Sequence, residues 1–385
     1  MLTYCKKCLT TSLRPNAWFN AEGICSACQY YNQQVDYQQN KTQQLQDWIS
    51  FLKKKNRNKK YNRIYDCIVG VSGGKDSTRQ AHWVKESLGM RPLLICCAYP
   101  PLQMSDIGAN NLSNLVDLGF DLEIICPAPI TSAQLSLESF IKFGNICKST
   151  EMALFATVPR VAIEKKIPFI FWGENPALQV GDFSCIGENE FDGNNLRKIN
   201  TLKNNDMLWM TTGAIKQKDK KLHFYEYPDM ASIERYGINI IYLGPAWNDW
   251  SNEQNATYAS LQGLTLRPDD KDLTGDISGA SMLDEEFTNI NMMIKYYKFG
   301  FGRATDLVNE KIRMGLISRS DAIKIVEEYD GVCDDQIIEK YTKYVGITTN
   351  DFWKIVYRYT NRDLFIISDV VGDRPRRKFK VGIDS

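Results

Sequence analysis

Six residues, Ser72-Gly73-Gly74-Lys75-Asp76-Ser77, follow directly on the apolar run Asp66-Cys67-Ile68-Val69-Gly70-Val71. A β-branched run that stops at two glycines set between serines has the pattern of a buried strand ending in an anion cradle and opening a helix. Gly73 and Gly74 lack a Cβ, so their amides can close on an oxyanion, and a helix expected to start near Ser77 adds its dipole. Lys75 supplies a cation for phosphate oxygens and Ser72 and Ser77 supply hydroxyls. Asp76 offers a hard oxygen ligand for Mg²⁺ on a triphosphate. A kinase-type loop, G-x4-G-K-[ST], would need Gly at Val69 and Ser or Thr at Asp76, so this cradle is of another kind.

With 385 residues, 43% hydrophobic and 24% charged, the chain is long enough for two or three domains with large cores. Forty-seven basic residues against forty-six acidic leave a net charge of +1, which excludes a global electrostatic footprint for nucleic acid. The densest basic stretches, residues 53–60 and 374–378, read as solvated linker and tail. No charged leader with an apolar core and no run of eighteen apolar residues occurs, so no membrane span is expected and the cytoplasm is the expected location. Of eleven cysteines, the seven from Cys67 onward lie mostly in apolar surroundings and read as buried thiols.

The other four form Cys5-x2-Cys8-x16-Cys25-x2-Cys28, with Gly23 before the second pair to permit a tight knuckle. Two such hooks present four thiolates at tetrahedral spacing. Some thirty residues cannot bury enough apolar surface to fold alone, and metal ligation supplies the missing stability. Structural Zn²⁺ is the favoured occupant; an iron–sulfur cluster or a redox dithiol are the alternatives. Four protein ligands leave no open position, so the role is architectural or one of partner docking. Residues 1–35 are therefore expected to be a zinc ribbon. Residues 36–62 are expected to be a linker helix, with Leu45, Trp48, Ile49 and Leu52 on one stripe.

From residue 63 to 280 the pattern is α/β. Apolar runs at 92–98, 121–126 and 167–172 alternate with helical stretches through Leu112, Leu115, Val116 and Leu118 and over 152–165. Short apolar strands between helices predict a doubly wound parallel sheet, with ligands at the strand C-terminal ends. That directs attention to the loop after Val71 and to Gly173-Glu174-Asn175-Pro176 after Trp172. A partial echo of the latter lies at Gly187-Glu188-Asn189-Glu190. Polar, acidic and glycine-rich residues there suit a site facing Mg²⁺, phosphates or an incoming amine. Residues 281–385 are expected to be helical: Met292, Met293, Tyr296 and Tyr297 share a face, a turn falls at 299–306, and Ser318-x-x-Asp321 is a capping box. Arg303 and Asp306, beside glycines, are candidates to reach a substrate carboxylate or hydroxyl.

The loop 72–77 resembles the pyrophosphate-binding loop of the PP-loop ATPases, the N-type ATP pyrophosphatases. Taken in order, three further features resemble the N-acetyl sugar amidotransferase family, to which the pseudaminic acid amidotransferases belong. They are the cysteine ribbon, the stretch Phe171-Trp172-Gly173-Glu174-Asn175-Pro176, and the segment Lys298-Phe299-Gly300-Phe301-Gly302-Arg303-Ala304-Thr305-Asp306. The resemblance implies ATP-dependent adenylylation of the acetamido oxygen of a nonulosonic acid or nucleotide-linked amino sugar. Ammonia then displaces AMP to leave an acetamidino group, in the synthesis of lipopolysaccharide O-antigen, capsule or flagellin glycan. It implies ATP and Mg²⁺ on Ser72, Gly73, Gly74, Lys75, Asp76, Ser77, Gly173, Glu174 and Asn175, with Lys75 and Asp76 catalytic. Only His82 and His223 exist and neither lies in a Cys/His glutaminase arrangement, so a separate glutaminase subunit is expected to supply ammonia. The runner-up is a PP-loop tRNA-thiolating enzyme, which would need a cysteine pair near the site and a basic face; a non-catalytic nucleotide sensor is the third reading.

Overall fold

The computed structural model of the chain describes residues 2–36, 40–62, 64–174, 179, 181, 183–198, 202, 206–212, 222–247, 249–267 and 271–384. Its centre is a parallel sheet of β1 (Cys67–Gly70), β2 (Pro92–Cys97), β3 (Asp121–Ile125), β4 (Phe169–Trp172) and β5 (Asn239–Tyr242). The strand order is β3-β2-β1-β4-β5 and every pairing is parallel, the doubly wound parallel sheet that the alternation of apolar runs and helices predicts. Side chains alternate between two cores. Cys67, Val69, Leu94 and Cys96 pack with Ala81, Val84, Leu112 and Leu115 on one face, and Ile68, Leu93, Ile95 and Ile170 pack with Met152, Ala156 and Val161 on the other. The first face is covered by α2 (Lys41–Lys55), α3 (Lys75–Glu86) and α4 (Asp106–Asp117), the second by α6 (Lys148–Lys165). In α2 the stripe of Leu45, Ile49 and Leu52 is buried against the sheet layer. Strand order reverses between β1 and β4, so the loops following them open side by side at the switch point.

β3 is the outer strand and keeps Asp121, Glu123 and Ile124 exposed, its charges discouraging edge pairing. The helix α5 (Pro129–Phe143) has no counterpart among the sequence expectations. It buries Phe140 in the C-terminal core.

That core gathers Phe287, Ile290, Met293, Tyr341, Phe352 and Val356 from a helical array. The array comprises α9 (Thr288–Phe299), α10 (Arg303–Arg313), α11 (Arg319–Tyr329), α12 (Asp335–Val345) and α13 (Thr349–Tyr359), which follow α7 (Met230–Tyr236) and α8 (Asn252–Leu261). Leu2 and Leu9 from the chain start enter the same core. Ser318 caps α11 as expected, its hydroxyl accepting from the Asp321 amide at 3.1 Å, while the Asp321 carboxylate accepts from that hydroxyl at 2.7 Å and not from the Ser318 amide as a full capping box would have it. Phe365–Ile366 pairs antiparallel with Arg376–Arg377.

Both basic stretches do more than face solvent. Lys59 Nζ donates to the carbonyls of Glu234 and Arg235 at 2.8 Å, closing the C-terminus of α7 where the helix dipole favours a cation. Arg374 donates to the Cys333 carbonyl at 2.6 Å and pairs with Asp335 at 2.7 Å. Among the described residues no helix is long and apolar enough to cross a membrane.

Candidate active site

The loop after β1 is shaped by backbone, not by caps. Gly73 adopts φ +84°, and a Cβ there would stand 2.9 Å from the Gly108 carbonyl oxygen, so glycine is required twice over. α3 begins at Lys75, two residues earlier than the sequence suggests, with Gly74 as its N-cap and no side-chain cap. The first-turn amides of this three-turn helix are thereby left for an anion, and Lys75 and Asp76 belong to that turn. The Ser77 hydroxyl turns inward and donates to the Gly74 carbonyl at 3.0 Å. That proton therefore serves the helix start, where the sequence expectation had it serving phosphate.

Lys75 is 5% exposed and its Nζ lies 2.9 Å from Asp76 Oδ2. The other Asp76 oxygen accepts from Asn255 Nδ2 at 2.6 Å, and Asn255 Oδ1 accepts from Arg79 at 2.7 Å. Arg79 reaches Asp249 at 2.6 Å and stacks over Trp247 at 4.6 Å. This chain of contacts fixes the Asp76 carboxylate from α8, across the helix pair α3–α8.

From the neighbouring loop, the Gly173 carbonyl accepts from Trp250 Nε1 at 2.8 Å, and a Cβ on Gly173 would meet Gln80 Oε1 at 3.0 Å. Glu174 follows. Its Oε2 is buried without a hydrogen-bond partner among the described residues. Burial, with the Asp76 carboxylate beside it, pushes the Glu174 carboxyl up to about 7, against the pull of Lys75. Two acids facing one another, one of them with an orphaned oxygen, fit a divalent cation better than they fit each other. Asn175 and Pro176 lie outside the described residues.

Glu174 yields a stability prediction whose sign follows from its raised carboxyl. Below the ordinary value of 4.5 the group is protonated whether folded or unfolded and costs nothing. As pH rises from 4.5 towards 7 the unfolded chain ionises while the folded one stays protonated, and stability is lost across that window. Glu174→Gln is thus expected to stabilise the metal-free protein by up to about 3 kcal/mol at pH 8 and far less at pH 5. Urea unfolding at the two pH values measures this; an equal effect at both would mean the carboxyl is not under electrostatic stress.

Beside the loop, a cavity of about 140 Å³ runs from Gly70 to Ser77 along one wall and presents Ile95, Cys97, Leu154, Val158 and Trp172 on the other. The apolar wall and the amide-lined wall together suit a flat heterocycle joined to phosphates. Cys97 is a poor nucleophile there, since burial pushes its thiol up to about 11.

One acid at this site escaped sequence reasoning altogether. Asp284, at the entry to the C-terminal helices, hydrogen-bonds Ser72 of the loop and accepts from the Tyr99 hydroxyl at 3.3 Å. Burial raises its carboxyl. Its backbone lies so close to Gly108 that a Cβ on Gly108 would stand 2.6 Å from the Asp284 Cα. No local pattern marks it, because the contact spans 212 residues of chain.

Arg303 and Asp306 are not at the loop. They occupy the first turn of α10, where the sequence suggests a turn instead; the Asp330 carboxylate accepts from the Gly302 and Thr305 amides at 2.8 and 3.0 Å and starts the helix early. The echo at 187–190 is likewise structural. Asp192 accepts from the Glu188 amide at 2.8 Å and the Asn194 amide at 2.9 Å, and Glu190 takes Tyr30 and Lys41 from the N-terminal segment. His82 packs edge-on against Phe120, with burial lowering its affinity for a proton, and serves as a core residue.

At the front of the chain Cys5, Cys8, Cys25 and Cys28 place their sulfurs within 4.8 Å of one another, all buried. The Lys7, Thr10 and Cys25 amides point at sulfur from 3.3 to 3.4 Å, as amides do around a metal-bound thiolate. The donor set fits a tetrahedral metal ion or an iron–sulfur cluster.

Residues 283–372 match the family described as LPS biosynthesis protein WbpG-like, C-terminal domain. No curated protein matches the chain. Among solved structures, the NH3-dependent NAD synthetase of Campylobacter jejuni aligns at 15% identity and TM-score 0.29, over 63% of this chain and 92% of that one. The U34-tRNA thiolase NcsA of Methanococcus maripaludis, with its [4Fe-4S] cluster, aligns at 14% identity and TM-score 0.31, over 88% of each chain. The strand order and the loop at the switch point describe a doubly wound parallel sheet, and it is joined to a C-terminal segment similar to that of WbpG-like LPS biosynthesis proteins.

Proposed function

We propose that this chain is an ATP-dependent amidotransferase of bacterial surface-glycan synthesis that converts the acetamido group of an N-acetyl sugar into an acetamidino group. The acetamido oxygen attacks the α-phosphorus of ATP, the bond to the β-phosphate oxygen breaks, and pyrophosphate leaves. Ammonia adds to the activated carbon, AMP departs with the former amide oxygen, and the surplus protons pass to solvent. An amide resists ammonia because of its resonance; adenylylation replaces a poor leaving group with a good one.

The observation that carries this reading is the uncapped α3 N-terminus beside the orphaned Glu174 carboxyl at the switch point. Lys75 and the loop amides would take up charge growing on pyrophosphate. Asp76 and Glu174 would hold Mg²⁺, which when bound neutralises phosphate charge. The apolar wall around Trp172 would seat the base. Ser72, tied to Asp284, would orient one phosphate oxygen. The ribbon would hold structural Zn²⁺. A separate glutaminase would deliver ammonia, since His82 is packed against the rings of Phe120 and Tyr258. The thiolation reading requires a reactive thiolate at the nucleotide, and Cys97, the cysteine on the cavity wall, is held protonated.

The test is product analysis. With ATP, Mg²⁺ and ammonium, AMP and pyrophosphate are expected only when an acetamido sugar is present, together with a sugar product in which NH replaces O. Pyrophosphate release driven by tRNA and a sulfur donor instead would overturn the proposal.

A further inference from the structure

Three cations from three separate segments converge on one carboxylate away from the nucleotide loop. Arg14, from the ribbon between the two cysteine pairs, pairs with Asp306 Oδ1, and Lys295, from α9, pairs with Asp306 Oδ2 at 2.7 Å. Arg303, one turn before Asp306 on α10, contributes to the same field. Arg14 and Lys295 also lie over the Phe301 ring, at 4.2 and 4.8 Å. Burial alone would raise the Asp306 carboxyl, yet Arg14, Lys295 and Arg303 hold it well below the usual carboxylate range. Burial lowers Lys295, and Arg14 and Arg303 lower it further, while Asp306 opposes them.

The neighbouring acids Asp330 and Glu310 are turned to other donors. Asp330 spends both oxygens on the Gly302 and Thr305 donors, and Glu310 accepts from Asn252 through its amide at 2.6 Å and its side chain at 2.8 Å. Arg303 Nη2 donates to the Ser281 hydroxyl, while its Nε is buried with no partner among the described residues. Arg14, Lys295 and Arg303 thus share the Asp306 carboxylate, and like charges held close together out of water favour a further anion. The cluster is open to one: the Lys295 and Asp306 side chains each keep 21% exposure.

Its position matters as much as its charge. Ser281, held by Arg303, is three residues before Asp284, which binds Ser72 of the loop, a separation of at most about 10 Å of chain. Along α10, Glu310 lies seven residues beyond Arg303, about 10 Å of helix rise, and is close enough to Lys75 for that cation to lower its carboxyl against the effect of burial. Two links thus run from α10 toward the catalytic loop, one through Ser281 and Asp284 and one through Glu310.

We infer that Arg14, Lys295 and Arg303 form the receptor for a carboxylate or phosphate carried by the acceptor sugar, and that Arg14 makes the cysteine ribbon part of the acceptor site. This rests on the sugar-modifying reading above. The acceptor is then an anionic N-acetyl sugar, its acid group clamped by guanidinium and ammonium donors and its acetamido group facing the nucleotide.

The experiment is calorimetric titration of the full chain, preloaded with α,β-methylene-ATP and Mg²⁺, with N-acetylneuraminic acid, UDP-N-acetylglucosamine and neutral N-acetylglucosamine. At least one anionic sugar is expected to bind about tenfold or more tightly than the neutral one; which one does so tells carboxylate from phosphate recognition. Arg14→Gln and Arg303→Gln should each weaken that binding about tenfold while leaving nucleotide affinity unchanged, and Arg14→Lys should recover part of it. No preference for either anionic sugar, or undiminished binding in both glutamine variants, overturns the inference. Anion binding that depends on Arg14 without any AMP formation would leave the receptor standing and remove the amidotransferase reading instead.

Discussion

Lys75→Ala is expected to lower the rate of pyrophosphate release by at least about a hundredfold while the chain stays folded. Charge builds on the bridging oxygen and the pyrophosphate as the α–β bond of ATP opens, and Lys75 is the cation at the mouth of the loop that meets it. Its stem is packed and its Nζ is 2.9 Å from Asp76 Oδ2, so the ammonium is aimed before substrate arrives. Alanine removes that preorganised charge and leaves Asp76 beside Glu174 without a counter-cation of protein origin. Nucleotide affinity should fall less than the rate, because the loop amides and the α3 dipole remain. Lys75→Arg keeps the charge but places a wider, planar group at a tight turn, and only partial recovery is expected. Pyrophosphate release and thermal unfolding measured on the same preparations check this; unchanged turnover in the alanine variant would remove the loop from the chemistry.

The parts of this site that were legible in the sequence are those fixed locally. Strand β1, the two glycines, Lys75 and the start of α3 occupy one continuous stretch, where steric and hydrogen-bonding demands act within a few residues. Alternating apolar runs likewise announced the parallel sheet, since strands buried on both faces admit few polar residues. Asn255, Asp284 and Arg14 were not legible. Each is an ordinary polar residue in its own neighbourhood and acquires a role only when α8, the 281–287 connection or the ribbon folds back on a distant segment. Arg303 and Asp306 were singled out for the glycines beside them, yet Asp330, twenty-four residues past Asp306, decides that this stretch is helix and aims Asp306 at the ribbon. The part played by the echo at 187–190 was hidden for a related reason: Lys41 and Tyr30, from segments far earlier in the chain, use Glu190 as an anchor.

Loss of one ribbon thiolate is the change with the widest consequence. The ribbon's interior is little more than its four cysteines and Ala27, edged by Phe19, Ile24 and Ile312, so nothing apolar can replace the metal once a ligand is gone. The same ribbon is bolted to the C-terminal region: the Leu9 amide donates to Asn309 at 2.6 Å and Arg14 pairs with Asp306, both on α10, and the Tyr4 amide donates to Asp384 of the tail at 2.8 Å. Cys25→Ser is therefore expected to abolish stoichiometric metal binding and lower the unfolding temperature by an amount on the order of 10 °C. Elemental analysis and absorbance tell the occupant: zinc gives a colourless protein, an iron–sulfur cluster a brown one. The nucleotide loop touches none of these contacts and should still bind ATP below the new transition. Sugar-dependent AMP formation should nevertheless fail there, because Arg14 is no longer held over Phe301. A variant that loses its metal yet keeps both its unfolding temperature and its sugar-dependent activity would show that the four sulfurs neither brace the C-terminal helices nor hold the anion clamp in place.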